Sequence, residues 1–177
     1  VPFEAGDVVD ATKMSVKALR QFIGESVQEA KNSGVLLSLH MKATMMKVSD
    51  PIIFGHGVTV VFADVFEKHA DTFKKLGVNA NNGLGDVYSK IKSLPEDQQK
   101  EIDADIQACV QNGPDLAMVD SDKGITNFHV PSDIIIDASL AAAIRTSGQM
   151  WGADGKAYDT LAMVPDSSYA GIYQSAI

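Results

Sequence analysis

Apolar side chains recur at helical spacing early in the chain, at Val16, Leu19, Ile23, Val27 and Ala30. Gly34 follows that run and can close a helix. Val35 to Leu39 is a short apolar stretch directly after the glycine, which predicts a buried strand. His40 to Ser49 is polar and rich in methionine, and it leaves that strand. Asp50 then reads as a helix cap with Pro51 in the first turn. Val58, Val61, Phe62, Val65, Phe66, Phe73 and Leu76 carry the helical pattern on to Gly77, and Gly55 and Gly57 offer a place for a break. A short helix is expected after Gly85. Ser93 and Glu96 have capping-box spacing around Pro95. Ile102, Ile106, Cys109 and Val110 mark the apolar face of the helix that follows, and Gly113 and Pro114 stop it. Leu116 to Val119 reads as a strand, and Ile125 to Val130 fits another. A helix is expected from Ser132 through Asp137 to Arg145, closed by Gly148. Asp154 and Gly155 have the chemistry of a hairpin turn. Leu161 to Val164 fits a strand, and Asp166 opens a last helix.

Short strands alternating with helices place the chain in the α/β class. Its 177 residues suffice for one domain with a real core. Composition changes the picture mainly by exclusion. The formal net charge is -8, and lysine and arginine are scattered, which argues against a general nucleic-acid or anionic-membrane binder. No apolar run approaches the roughly 20 residues of a membrane span. The single cysteine, Cys109, cannot form an internal disulfide, so a reducing cytoplasmic setting is the expectation. Val1 is not an initiator residue, and the chain stops within an apolar helical pattern. The expectation is therefore a single segment, 1–177, of a larger domain completed by sequence beyond it.

Three constellations bear on chemistry. The first is His40-Met41-Lys42-Ala43-Thr44-Met45-Met46-Lys47, where two lysines leave the end of the expected buried strand. Ligands bind at strand ends in α/β folds, and a lysine there can move a proton or stabilise an enolate. Two solvated lysines beside core methionines fit the same spacing. The second is Asp133 to Arg145, DIIIDASLAAAIR, in which Asp137 sits within an otherwise apolar helical stretch. A carboxylate there is costly unless it is paired, hydrogen-bonded or metal-bound, although an exposed or capping role also fits. The third, Asp120-Ser121-Asp122-Lys123-Gly124, begins like a calcium loop. Its glycine comes one position early and Pro131 stands where the closing glutamate belongs, so it reads as a turn. Gly83-Leu84-Gly85 is no dinucleotide fingerprint, and His40, His56, His69 and His129 have no zinc spacing. His56 is placed against a helix break, His69 on a helix surface and Cys109 in the core.

Longer stretches carry more. SLHMKATMMKVSDPIIFGH (38–56), LGVNANNGL (76–84), MVDSDKGITN (118–127), HVPSDIIIDAS (129–139) and PDSSYAGIYQ (165–174) together resemble the monomeric NADP-dependent isocitrate dehydrogenases, in the family's order and over nearly the whole chain. A fainter similarity links Lys42 to Lys47 and Asp137-Ala138-Ser139-Leu140 to the homodimeric β-decarboxylating dehydrogenases. The resemblance implies part of the large domain of an isocitrate/isopropylmalate dehydrogenase-like fold. It implies NADP-dependent oxidative decarboxylation of isocitrate to 2-oxoglutarate with Mg²⁺ or Mn²⁺, in a protein that is monomeric at full length. By the match, Asp137 supplies one metal ligand and Lys42 lies by the substrate hydroxyl. Lys47 and Asp122 match without an assigned role. The remaining metal carboxylates, the substrate arginines and the NADP site lie outside the matching segment, so no cofactor-binding residue is assigned. The run GHGVTVVF, around Gly57 and Thr59, departs from the bulkier residues expected there.

Two other classes of function stand beside this one. A non-catalytic binding or scaffold module would keep the fold, but retention of both Lys42 and Asp137 favours the enzyme. A metal-dependent hydrolase built on Asp120 and Asp122 lacks a general base. An isolated segment is expected to expose apolar surface and to self-associate.

Overall fold

The computed structural model describes residues 2–9, 13–41, 48–130, 141, 143–164 and 174. Helix α1 (Val16–Ser33) starts at Ser15, whose side chain accepts from the Ala18 N–H, and ends at Gly34 in the left-handed region at φ 66°. The chain then enters strand β1 (Leu36–Leu39), in which all four residues are buried. Helices α2 (Ser49–Val61), α3 (Ala63–Lys68), α4 (Ala70–Leu76), α5 (Leu84–Ile91) and α6 (Glu96–Asn112) follow. The short strands β2 (Met118–Asp120) and β3 (Ile125–Thr126) form an antiparallel pair. Strands β4 (Gln149–Trp151) and β5 (Ala157–Met163) form a hairpin across Asp154 and Gly155, as the turn chemistry predicts.

Among the described residues the main sheet has the order β1-β5-β4. β1 runs parallel to β5, with Leu36 opposite Thr160 and Leu39 opposite Met163. The other side of β1 meets Leu116 through a parallel bridge. The protein is thus mixed α/β, as expected. One core joins Ile23 of α1, Leu37 of β1, Val58 of α2, Phe62, Phe128, and Ile102 and Ile106 of α6. Phe128 stacks near Phe54 and meets Phe62 edge-on at 6.2 Å. No helix among the described residues is long and apolar enough to cross a membrane.

Several local expectations are corrected. Helix α2 begins at Ser49 behind Val48, with no side-chain cap, so Asp50 lies inside the first turn and is buried there. The helix dipole favours a carboxylate at that position. Gly55 and Gly57 do not break the helix. A Cβ on Gly55 would meet the Asn81 side chain, and one on Gly57 would lie 2.7 Å from Leu39 Cδ2. These glycines serve close approach, and a bulkier residue at 57 would push on Leu39. The breaks fall instead at Phe62 and His69, whose rings turn into the protein. His69 is therefore not a surface residue: it packs against Phe73 and is hydrogen-bonded to Asp105. The capping box does not form, because α6 starts after Pro95 and the Ser93 hydroxyl donates back to the Lys90 carbonyl. The strand read over 125–130 shrinks to β3, since Asn127 and Phe128 turn inward. Cys109 is only partly buried, packed at the edge of the core. The starts of the helices expected at Ser132 and Asp166 lie outside the described residues.

Two glycines separate conformational need from tolerance. Gly83 has φ +77°, and a Cβ there would come within 2.4 Å of the His129 carbonyl oxygen. Gly83→Ala is expected to cost at least about 2 kcal/mol from strain and overlap. Gly24 sits inside α1 with nothing within 4 Å of an added Cβ. Gly24→Ala is expected to gain about 0.5–1 kcal/mol. Denaturant unfolding of the two variants checks both signs.

Candidate functional site at the carboxyl edge of β1

A fully buried strand must satisfy its backbone polar groups inside the protein. On one side β1 does so through β5, and the His40 N–H continues the ladder to the Met163 carbonyl at 3.0 Å. On the other side the Leu37 N–H donates to Asp115 O at 2.8 Å, and Leu37 O accepts from Ala117 N at 2.9 Å. Beyond Ala117 the neighbouring chain swings away into β2. The Leu39 N–H would then lack a partner, and the Asn127 side-chain oxygen accepts from it at 2.6 Å. Asn127 is itself held by its N–H to the Ala117 carbonyl at 2.9 Å. An amide side chain thus stands in for one missing strand carbonyl.

Three chain exits share this edge. Met41 precedes residues 42–47, Val130 precedes 131–140, and Val164 precedes 165–173. The first and third are joined by the His40–Met163 hydrogen bond, and the first and second by the Leu39–Asn127 hydrogen bond. The second exit is fixed further by α5. Its Leu84 and Gly85 N–H groups donate to the carbonyls of Phe128 and His129 at 3.0 and 2.8 Å. The His129 ring stacks on Tyr88 with centroids 5.6 Å apart. Its Nδ1 accepts from the Thr126 N–H at 3.0 Å, and burial pushes its pKa down.

Lys42 and Asp137, the catalytic and metal-ligating candidates, lie outside the described residues, as does Lys47. The frame from which their segments depart is described. It includes two polar residues that spacing did not single out, Ser38 and Asn127. Ser38 Oγ lies 3.0 Å from His40 Nε2, both buried, and burial holds the His40 imidazole neutral with its pKa lowered to about 4. Asn127 had a signal, an amide within an apolar run, but only the three-dimensional divergence of the neighbouring strand gives it a task. Asp120 and Lys123 close the expected turn with an ion pair at 2.7 Å, and Asp122 is exposed. His56 lies in the unbroken α2, where burial, then Arg20, lowers its pKa. A cavity of about 430 Å³ is lined by Tyr88 and His129 of the second exit together with Ile106 and with Gly34 and Leu36 at the start of β1.

A family model described as monomeric isocitrate dehydrogenase matches residues 1–177. The chain belongs to the monomeric isocitrate dehydrogenase family. It is similar to isocitrate dehydrogenase [NADP] of Azotobacter vinelandii, 58% identical over 174 residues, which is 98% of this chain and 24% of that protein. It is 57% identical over 177 residues to isocitrate dehydrogenase [NADP] 2 of Colwellia maris, and 55% identical over 177 residues to isocitrate dehydrogenase [NADP] 2 of Mycobacterium tuberculosis. Each match covers 100% of this chain and 24% of the relative. The chain thus spans about a quarter of the length of these relatives.

Removing the strand surrogate should be costly. Asn127→Leu leaves a buried N–H without an acceptor and is expected to lower stability by about 1–3 kcal/mol, while Asn127→Asp keeps the acceptor and loses less. Equilibrium unfolding distinguishes the two. His40 yields a pH dependence of definite sign. The unfolded state takes up the proton near the ordinary value of 6.5 and the folded state only near 4. Stability from this group is therefore full above about 6.5 and is lost on acidification towards about 4, by up to ~1.4 kcal/mol per pH unit. Midpoints measured across that window should flatten in His40→Gln.

Proposed function

We propose that the protein carrying this chain catalyses NADP-dependent oxidative decarboxylation of isocitrate to 2-oxoglutarate, and that this segment furnishes part of the active site. The observation that carries the reading is the family match over 1–177, with relatives 53–58% identical that are named as NADP isocitrate dehydrogenases. The convergence of three chain exits at one strand edge supports it, because ligands gather at the carboxyl ends of parallel strands.

In this reading Lys42, three residues beyond β1, faces the substrate hydroxyl. Its ammonium assists removal of the hydroxyl proton and stabilises the enolate left when carbon dioxide departs. Asp137 faces the same cleft and offers one carboxylate oxygen to Mg²⁺ or Mn²⁺. A bound divalent ion supplies the Lewis acidity that draws charge from the scissile carbon–carbon bond. One carboxylate is far short of the ligand shell such an ion takes, so the remaining ligands, the substrate arginines and the NADP site come from elsewhere in the protein. The segment then belongs to the larger of two domains. The exposed apolar side chains Val119 and Trp151 suit a surface that other parts of that domain cover, and the segment in isolation is expected to self-associate.

The two residues have separable signatures in the intact enzyme. Asp137→Asn should raise the Mn²⁺ concentration needed for half-maximal activity and sharply lower turnover, because a neutral amide holds the ion less well. Lys42→Met should leave the Mn²⁺ requirement unchanged and lower kcat by on the order of 10²–10³. Near wild-type kinetics in either variant would defeat the assignment.

A further inference from the structure

A second constellation lies away from the β1 edge, where α6 crosses the junction of α3 and α4. Glu101 and Asp105 stand one turn apart on α6 and present their carboxylates on one face. His69 occupies the junction and brings its Nε2 to 2.6 Å from Asp105 Oδ2. One ligand atom from each of the three residues lies within 4.8 Å of the others. The imidazole is only 9% exposed, and Phe73 packs against its ring at 5.9 Å, so its orientation is fixed. Its backbone is equally constrained, by His69 N–H to Val65 O at 3.0 Å and Phe73 N–H to His69 O at 2.9 Å.

The cluster already accommodates a cation. Lys68 Nζ lies 3.0 Å from Glu101 and 2.8 Å from Asp105 Oδ2. That ammonium sits on a half-exposed side chain that can swing into water. We infer that His69, Glu101 and Asp105 form a binding site for a zinc-type divalent ion, which enters by displacing the Lys68 ammonium. One imidazole nitrogen and two carboxylates suit Zn²⁺ or Co²⁺, leaving a position for water, and suit the all-oxygen preference of Mg²⁺ poorly. In the resident state Nε2 carries the proton that it donates to Asp105. The ion takes the Nε2 lone pair, so that proton moves to Nδ1 in a neutral ring and one proton leaves to solvent from a charged ring. Its bonds would replace the lysine clamp between α6 and the α3–α4 junction, making the ion a structural pin with no part in the chemistry proposed for Lys42 and Asp137.

Co²⁺ titrated into the intact protein under saturating Mg²⁺ reads the site through its visible ligand-field absorption. One equivalent should bind with that absorption. Glu101→Gln, at an exposed position that leaves the fold intact, should weaken binding roughly tenfold or more, and His69→Gln should abolish the band. Lys68→Gln should tighten binding, since it removes the resident competitor. Asp137→Asn should leave the band unchanged. The proposal is overturned if no Co²⁺ binds under Mg²⁺, if Glu101→Gln and Lys68→Gln leave the affinity unchanged, or if the band disappears in Asp137→Asn.

Discussion

The structure depends on satisfying the backbone of one buried strand. β1 is buried along its whole length, paired with β5 on one side and bridged at Leu37 to Leu116 on the other, so its N–H and C=O groups must find partners within the protein. β5 satisfies one side. On the other, Asp115 and Ala117 serve Leu37, and the Asn127 side chain serves Leu39 after the neighbouring strand has turned away. That substitution fixes where the chain after Asn127 begins relative to the chain after Leu39. The carboxyl edge of the sheet is thereby set by a hydrogen bond as much as by hydrophobic packing.

Much of this frame was legible in the sequence, because simple rules applied. The period of α1, the left-handed Gly34, the apolar run before Leu39 and the turn at Asp154-Gly155 each state a local preference that packing leaves unopposed. The errors came where tertiary contacts decided. Gly55 and Gly57 looked like helix breakers, yet they let α2 lie against Asn81 and Leu39. Phe62 and His69 looked like ordinary helical residues, yet the helix breaks at both, with their rings buried. His69 looked exposed because its stabilising partner, Asp105, is distant in sequence. Asn127 was hidden for a similar reason, since its partner is a backbone group of β1.

Of the candidate site, spacing alone marked the lysines after β1 and the carboxylate at Asp137, and it left each with a bland alternative. Resemblance across five stretches in one order gave them roles, and the family match over the whole chain bears out the family that the resemblance named. The described residues show that the chain ahead of each segment is tied to the other, by the hydrogen bond from the Leu39 N–H to the Asn127 side chain. The chain spans 24% of the length of the Azotobacter vinelandii relative. The His69 cluster ties α6 to the α3–α4 junction, so its proposed ion would act on rigidity alone.

The most direct test of the central account is a crystal structure of the intact protein with Mn²⁺ and isocitrate, the metal located by its anomalous scattering. The account expects a Mn²⁺ peak beyond the carboxyl end of β1, ligated by Asp137, with Lys42 Nζ within hydrogen-bond reach of the isocitrate hydroxyl. A Mn²⁺–isocitrate complex bound away from that edge, or Lys42 and Asp137 on opposite faces, would contradict it.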